Sequence, residues 1–316
     1  MKKEIHLISP RGFCAGVTRA IDVVNIALEK YGPPVYVKHE IVHNKSVIEE
    51  LKLKGAVFIE DIKDVPQGTP LIFSAHGVSK LVVNEANEKK AITIDATCPL
   101  VTKVHVQAKK FSSQGYHIFS IGHRNHPEVE GTVGQYQPKS GKGGMYIVES
   151  VEDVMKLKVK NPDFLAFVTQ TTLSMDDTSE VIDALKTRFP NIDGPKKKDI
   201  CYATQNRQDA VKSILNYCDY LLVIGSVNSS NSRRLVELAL KNNIPSKLID
   251  DTDDINLEEL KDKRVIGITA GASAPEILLD QVTEFLMKRG AKLSEVKQDA
   301  IKENIIFSMP KELRNL

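Results

Sequence analysis

Short runs rich in Val, Ile and Leu alternate with amphipathic stretches along nearly the whole of this 316-residue chain. That is the pattern of parallel strands joined by crossover helices, and the expected fold class is α/β with mainly parallel sheets. Strands are expected at 4–9, 35–38, 71–74, 92–95, 117–121, 164–168, 220–225 and 264–269. Helices are expected at 17–31, 101–113, 176–189, 204–218, 232–242 and 275–289.

Within the alternation lies a threefold rhythm. Cys14 in Gly12-Phe13-Cys14-Ala15-Gly16, Cys98 in Ala96-Thr97-Cys98-Pro99-Leu100 and Cys201 in Asp199-Ile200-Cys201-Tyr202-Ala203 each stand at an expected strand-to-helix turn. A polar loop follows each cysteine after a strand (39–44, 123–128, 228–232), and a second follows farther on (74–77, 169–172, 270–275). Three such triplets in order argue for an internal repeat. The expected units are 14–97, 98–195 and 196–285, the last taking in the N-terminal strand of 1–13, with 286–316 as a tail. In open parallel sheets ligands sit beyond the carboxyl ends of the strands. The loops are therefore expected to bring the three thiols together, ringed by His, Ser, Thr and Asn. One Ser or Asn at such a place more often caps its own helix; the same triplet three times over is harder to dismiss.

Composition narrows the function. With 43 Lys+Arg against 41 Asp+Glu, the net charge of +2 is too small for the broad positive field of a nucleic-acid or anionic-membrane binder. The run Lys196-Lys197-Lys198 reads as a solvated loop. No apolar run approaches the ~18 residues of a membrane span, and the opening residues, interrupted by Glu4 and His6, do not read as a signal peptide. A cytoplasmic protein is expected, with no nucleic-acid or membrane partner. Four cysteines without a CxxC pair make no disulfide framework. In a reducing compartment they are free thiols, metal ligands or nucleophiles, and Cys218, outside the repeat, is expected to be a buried small hydrophobe.

Helix starts favour thiolates, and thiolates bind metal. Three cysteines with an open fourth position suit either a catalytic zinc or an iron–sulfur cluster with one iron left free; residue types alone leave that choice open. His43, His76, His126, Ser229, Ser230, Asn231 and Ser273 supply many donors with little fixed charge, several at expected helix starts, as suits a phosphate or diphosphate. Ser140-Gly141-Lys142-Gly143-Gly144 lacks the P-loop frame and no GxGxxG occurs, so nucleotide binding is not expected. Glu128, two residues after His126, stands where a desolvated carboxyl group holds a proton near neutral pH. His6, His39, His105, His117 and His123 read as packing or surface residues.

The segments Arg11-Gly12-Phe13-Cys14-Ala15-Gly16-Val17, His76-Gly77-Val78-Ser79, Ala96-Thr97-Cys98-Pro99, His126-Pro127-Glu128, Thr169-Gln170-Thr171-Thr172, Cys201-Tyr202-Ala203-Thr204, Ser229-Ser230-Asn231-Ser232 and Ala270-Gly271-Ala272-Ser273-Ala274-Pro275 form a specific set. Over almost its full length the chain resembles the 4-hydroxy-3-methylbut-2-enyl diphosphate reductase family. The resemblance implies three similar small α/β domains in a pseudo-threefold trefoil around one 4Fe-4S cluster per chain, held by Cys14, Cys98 and Cys201, with an open iron. It implies reductive dehydroxylation of the allylic diphosphate to isopentenyl and dimethylallyl diphosphate, with two electrons and two protons. By the same resemblance His43, His76, His126, Ser229, Ser230, Asn231 and Ser273 hold the diphosphate, Thr171 orients the hydroxyl, and Glu128, with His126 beside it, delivers protons. Electrons would come from a flavodoxin- or ferredoxin-like donor. A zinc-dependent hydrolase of a phosphorylated metabolite is the alternative, and a noncatalytic iron–sulfur sensor a third reading.

Overall fold

The computed structural model describes residues 3–138, 143–159, 163–294 and 301–314. Met1 and Lys2, Ser140-Gly141-Lys142 of the glycine-rich stretch, and 295–300 of the tail are among those outside the described residues. The chain opens with β1 (Glu4–Leu7), α1 (Ala15–Tyr31), β2 (Val35–Lys38), α2 (Lys45–Leu53), β3 (Ala56–Ile59), β4 (Pro70–Phe73), α3 (Lys80–Glu88) and β5 (Ile92–Asp95). Then come α4 (Pro99–Ser113), β6 (His117–Ile121), α5 (Pro127–Val133), β7 (Gly144–Val148), α6 (Val151–Lys156), β8 (Leu165–Thr169) and α7 (Met175–Arg188). It closes with α8 (Tyr202–Ile214), β9 (Tyr220–Ile224), α9 (Ser230–Lys241), β10 (Ser246–Ile249), α10 (Leu257–Leu260), β11 (Val265–Ala270), α11 (Glu276–Met287) and β12 (Lys292–Ser294).

The strands form three sheets, ordered β3-β2-β4-β5, β7-β6-β8 and β10-β9-β11-β1-β12. Every pairing in them is parallel. The α/β expectation is met, and the repeat is visible as topology. In the second sheet a parallel bridge between Ala166 and Asp193 stands where β5 stands in the first. In the third sheet that place belongs to β1, from the opposite end of the chain, paired Ile5 to Ile266. Each cysteine thus follows a strand or bridge at the equivalent sheet position.

The described chain divides into two compact units. Unit 1 (1–18, 43–50, 202–306) carries the five-stranded sheet. On β9, Leu222 and Ile224 pack with Leu278 and Val282 of α11, whereas Leu221 and Val223 pack with Val211 of α8 and Leu235 of α9. Successive strand residues point to opposite faces, so a five-residue apolar run is buried on both sides. Truncating any of these to Ala removes contacts worth about 2–5 kcal/mol. Unit 2 (19–42, 51–201, 307–316) holds the other two sheets, with Phe119, Leu165 and Phe167 in one core and Leu71, Phe73 and Ile62 in another.

Sequence periodicity locates the central strands and the long helices but not β3, β7, β10 or β12. All four lie at sheet edges, where one side faces solvent and no continuous apolar run is required. The cysteine helices begin earlier than periodicity indicates: α1, α4 and α8 start at the residue directly after Cys14, Cys98 and Cys201. Pro99 at the first helical position explains this for α4, since its missing N–H is one the helix leaves unbonded anyway.

Candidate active site

In unit 1 the loops after β1, β9 and β11 meet. The Cys14 amide donates to the Ala272 carbonyl at 3.2 Å, and the Ala15 amide to the Tyr202 hydroxyl at 3.2 Å. Ser229 caps α9, its Oγ taking the Ser232 amide at 3.4 Å and the Ser232 hydroxyl at 2.9 Å. The capping role expected of a lone serine is therefore present, but it is not the whole arrangement. Ser229 Oγ also lies 3.4 Å from Ser273 Oγ; Ser273 donates to the His43 carbonyl at 2.9 Å, and Asn231 Oδ1 accepts the Ala272 amide at 3.3 Å. His43, Ser229, Ser230, Asn231 and Ser273 are all buried. Uncharged donors thus crowd the start of a 12-residue helix whose free amides and dipole favour anions. Gly271 makes the crowding possible: a Cβ there would lie 1.9 Å from Ser232 Oγ and 3.1 Å from Asn231 Nδ2. Gly271→Ala is expected to cost about 1–3 kcal/mol of stability, read as a lowered unfolding midpoint, with Asn231 displaced.

In unit 2 a continuous run of contacts joins two cysteines. The Cys98 amide donates to the Ala75 carbonyl at 3.0 Å. The next residue, His76, faces His126 edge to face with ring centroids 5.9 Å apart. His126 caps α5: its Nδ1 accepts the Glu128 amide at 3.2 Å, which leaves the proton of a neutral ring on Nε2. The Glu128 carboxyl group, 2% exposed, accepts the Thr171 amide at 2.6 Å and the Thr171 hydroxyl at 3.0 Å. The Thr171 carbonyl in turn accepts the Cys201 amide at 3.0 Å. Burial pushes the Glu128 carboxyl up to about 7; the two Thr171 hydrogen bonds oppose the shift and the charge of Asp199 adds to it. A carboxyl group so placed exchanges a proton near neutral pH, as its sequence position led one to expect.

The three cysteine amides each bond to a carbonyl of a second polar loop, at Ala272, Ala75 and Thr171. Cys14, Cys98 and Cys201 form no disulfide and are partly exposed; Cys218 is buried, and burial followed by the charge of Asp219 pushes its thiol up to about 11. His105 is a packing residue as expected, held neutral because burial lowers it to about 4, with Lys109 adding to the shift. Its ring closes against Gly77, where a Cβ would come within 2.5 Å of it. Sequence reading assigns no role to Gln170, yet its Oε1 takes the His123 amide at 3.0 Å and its Nε2 donates to Thr172 at 2.8 Å, tying two loops of the site together. Its place inside the Thr169–Thr172 motif was the signal.

The family described as LytB protein matches residues 5–287. A relative from Ectopseudomonas mendocina (strain ymp), named 4-hydroxy-3-methylbut-2-enyl diphosphate reductase, is 59% identical over 98% of each chain. One of the same name from Pseudomonas entomophila (strain L48) is 58% identical over 98% of each. Among solved structures, the E-1-hydroxy-2-methyl-but-2-enyl-4-diphosphate reductase from Plasmodium falciparum is similar with a TM-score of 0.89 and 40% identity, covering 99% of this chain and 97% of its own. A second, described as the terminal enzyme of the non-mevalonate pathway, has a TM-score of 0.62 and 30% identity over 90% of this chain and 99% of its own.

Proposed function

The chain belongs to the LytB protein family, and from that membership we infer its reaction, the reductive dehydroxylation of 4-hydroxy-3-methylbut-2-enyl diphosphate. Two electrons and two protons enter, water leaves, and isopentenyl and dimethylallyl diphosphate form. The names of the relatives support this reading over the zinc hydrolase and the sensor. The observation that best supports the reading is the unbroken run from Cys98 through His76, His126, Glu128 and Thr171 to Cys201.

Three thiols outside any disulfide, at equivalent helix starts, fit a 4Fe-4S cluster, one per chain, with Cys14, Cys98 and Cys201 as its ligands: a donor set one short of a closed site. When bound, that cluster supplies electrons and an iron open to act as a Lewis acid. The protein's own residues do the rest. In unit 1, His43, Ser229, Ser230, Asn231 and Ser273 take phosphate oxygens; in unit 2, His76 and His126 do so, His126 through Nε2–H. Thr171 orients the substrate hydroxyl. Glu128, neutral below about pH 7, passes a proton through the Thr171 hydroxyl to the departing oxygen, so that water and not hydroxide leaves. The three-sheet repeat supports the three-domain partition 14–97, 98–195 and 196–285 with 1–13. A flavodoxin- or ferredoxin-like protein is the electron donor we assign, and the cytoplasm the location; among the described residues no helix is long and apolar enough to cross a membrane.

The test is anaerobic purification followed by iron and sulfide analysis, then substrate with a chemical reductant. Iron and sulfide near four each per chain with both isomeric products are expected; protein without iron that still turns over would overturn the cofactor. His43→Ala and Asn231→Ala should each weaken substrate binding by about 1–3 kcal/mol with the cluster spectrum unchanged. Unchanged isotherms in both would place the diphosphate elsewhere.

A further inference from the structure

Each cysteine helix carries a cation one to two turns beyond its thiol: Arg19 on α1, Lys103 on α4 and Arg207 on α8. Arg19 sends Nη1 to the carbonyls of Ala96 and Thr97, both at 3.1 Å, and Nη2 to that of Asp95 at 3.3 Å, the three residues before Cys98. Lys103 places Nζ 3.1 and 3.0 Å from the carbonyls of Lys197 and Lys198 and 3.1 Å from Asp199 Oδ1, the stretch just before Cys201. Arg207 sends Nη2 to the Gly12 carbonyl at 2.7 Å, two residues before Cys14. The rule is the same each time. The cation on the helix after one cysteine grips the loop before the next, and the third returns to the first.

Two of these cations are deeply buried, with Arg19 9% and Arg207 1% exposed. Burying a charge is costly unless its donors are satisfied. Arg207 also holds Glu303, at 3.0 Å from Nη1, and Arg19 the Ser308 carbonyl at 2.8 Å, so the C-terminal segment adds a partner to each. Lys103 uses all three ammonium protons on the grip. The gripped segments lie at or just beyond β5, β1 or the bridge at Asp193, and they end at the thiols. Outer groups that orient metal ligands change metal affinity by about 10–100-fold when removed.

We propose that Arg19, Lys103 and Arg207 are positioning residues that set the three cysteine loops for the cluster, each passing the register of one thiol to the next. The proposal rests on Cys14, Cys98 and Cys201 being the ligands. Lys103, whose side chain is 38% exposed, is the variant least exposed to misfolding. Lys103→Met holoprotein, challenged anaerobically with an iron chelator and followed by visible absorbance, is expected to release iron about tenfold faster than wild type. The unfolding midpoint of the metal-free full chain should stay within about 2 °C, and Lys103→Arg should restore slow release. Arg19→Lys, keeping the charge but losing the fork, should lie between. Unchanged release in Lys103→Met overturns the proposal, as does faster release that only follows a lowered midpoint. A wild-type chain that takes up no cluster overturns the ligand assignment instead, and the proposal with it.

Discussion

Serine in place of Cys14, Cys98 or Cys201 is expected to deplete bound iron and abolish product formation, whereas Cys218→Ser should do neither. A hydroxyl is far harder to deprotonate than a thiol and is a poor ligand for iron that prefers thiolate. The contrast with Cys218 is what makes the experiment decisive. That thiol is buried among Val211, Leu221 and Leu235, and burial disfavours its charged form. Iron content by chemical analysis and turnover with a chemical reductant are the readouts; full iron and turnover in any of the three single variants would sink the assignment.

The second large effect is a separation of binding from chemistry at Glu128. Glu128→Gln keeps the shape and an acceptor for the Thr171 amide but has no acidic proton to give. Substrate should still bind, while turnover falls by roughly 10²–10⁴, the usual worth of a general acid. With Glu128 as the proposed acid, its protonated form is expected to be the active one. Because the carboxyl group sits at about 7, the rate should decline as pH rises through that value, and the variant should lose this limb of the profile. Stability follows the same sign. A carboxyl raised from its ordinary 4.5 favours the folded state below that pH, and the advantage is lost as pH rises to about 7. Near-normal turnover in the variant would move the acid role to His126 or to the substrate's diphosphate relayed through Thr171.

Much of the candidate site is legible in the sequence, for a definite reason. A thiol at a strand-to-helix turn, or a His-Pro-Glu at a helix start, declares itself through local residue types. Glu128 was legible as a candidate acid because His126, Pro127 and the turn stand beside it in the chain. The cations of the cysteine helices were not, since Arg207 differs from a solvent-facing helical arginine only through Gly12 and Glu303, both distant in sequence. Gln170, which bridges two loops, hides in the same way. The edge strands were missed on different grounds: β3, with its exposed Val57, and β12, with two of its three residues exposed, bury too little to show a period.

The position of β1 has a consequence for how the molecule is made. β1 pairs with β11 and β12, and Cys14 hands its amide to Ala272. A ribosome has therefore passed residue 272 before the first cysteine to emerge finds its place, whereas the amide partners of Cys98 and Cys201, at Ala75 and Thr171, are already synthesised when those thiols appear. The N-terminal strand waits through most of translation with its ladder unfilled, a long-range closure of the kind that slows folding. A cluster held by the three proposed ligands can therefore close only after residue 272 has been made.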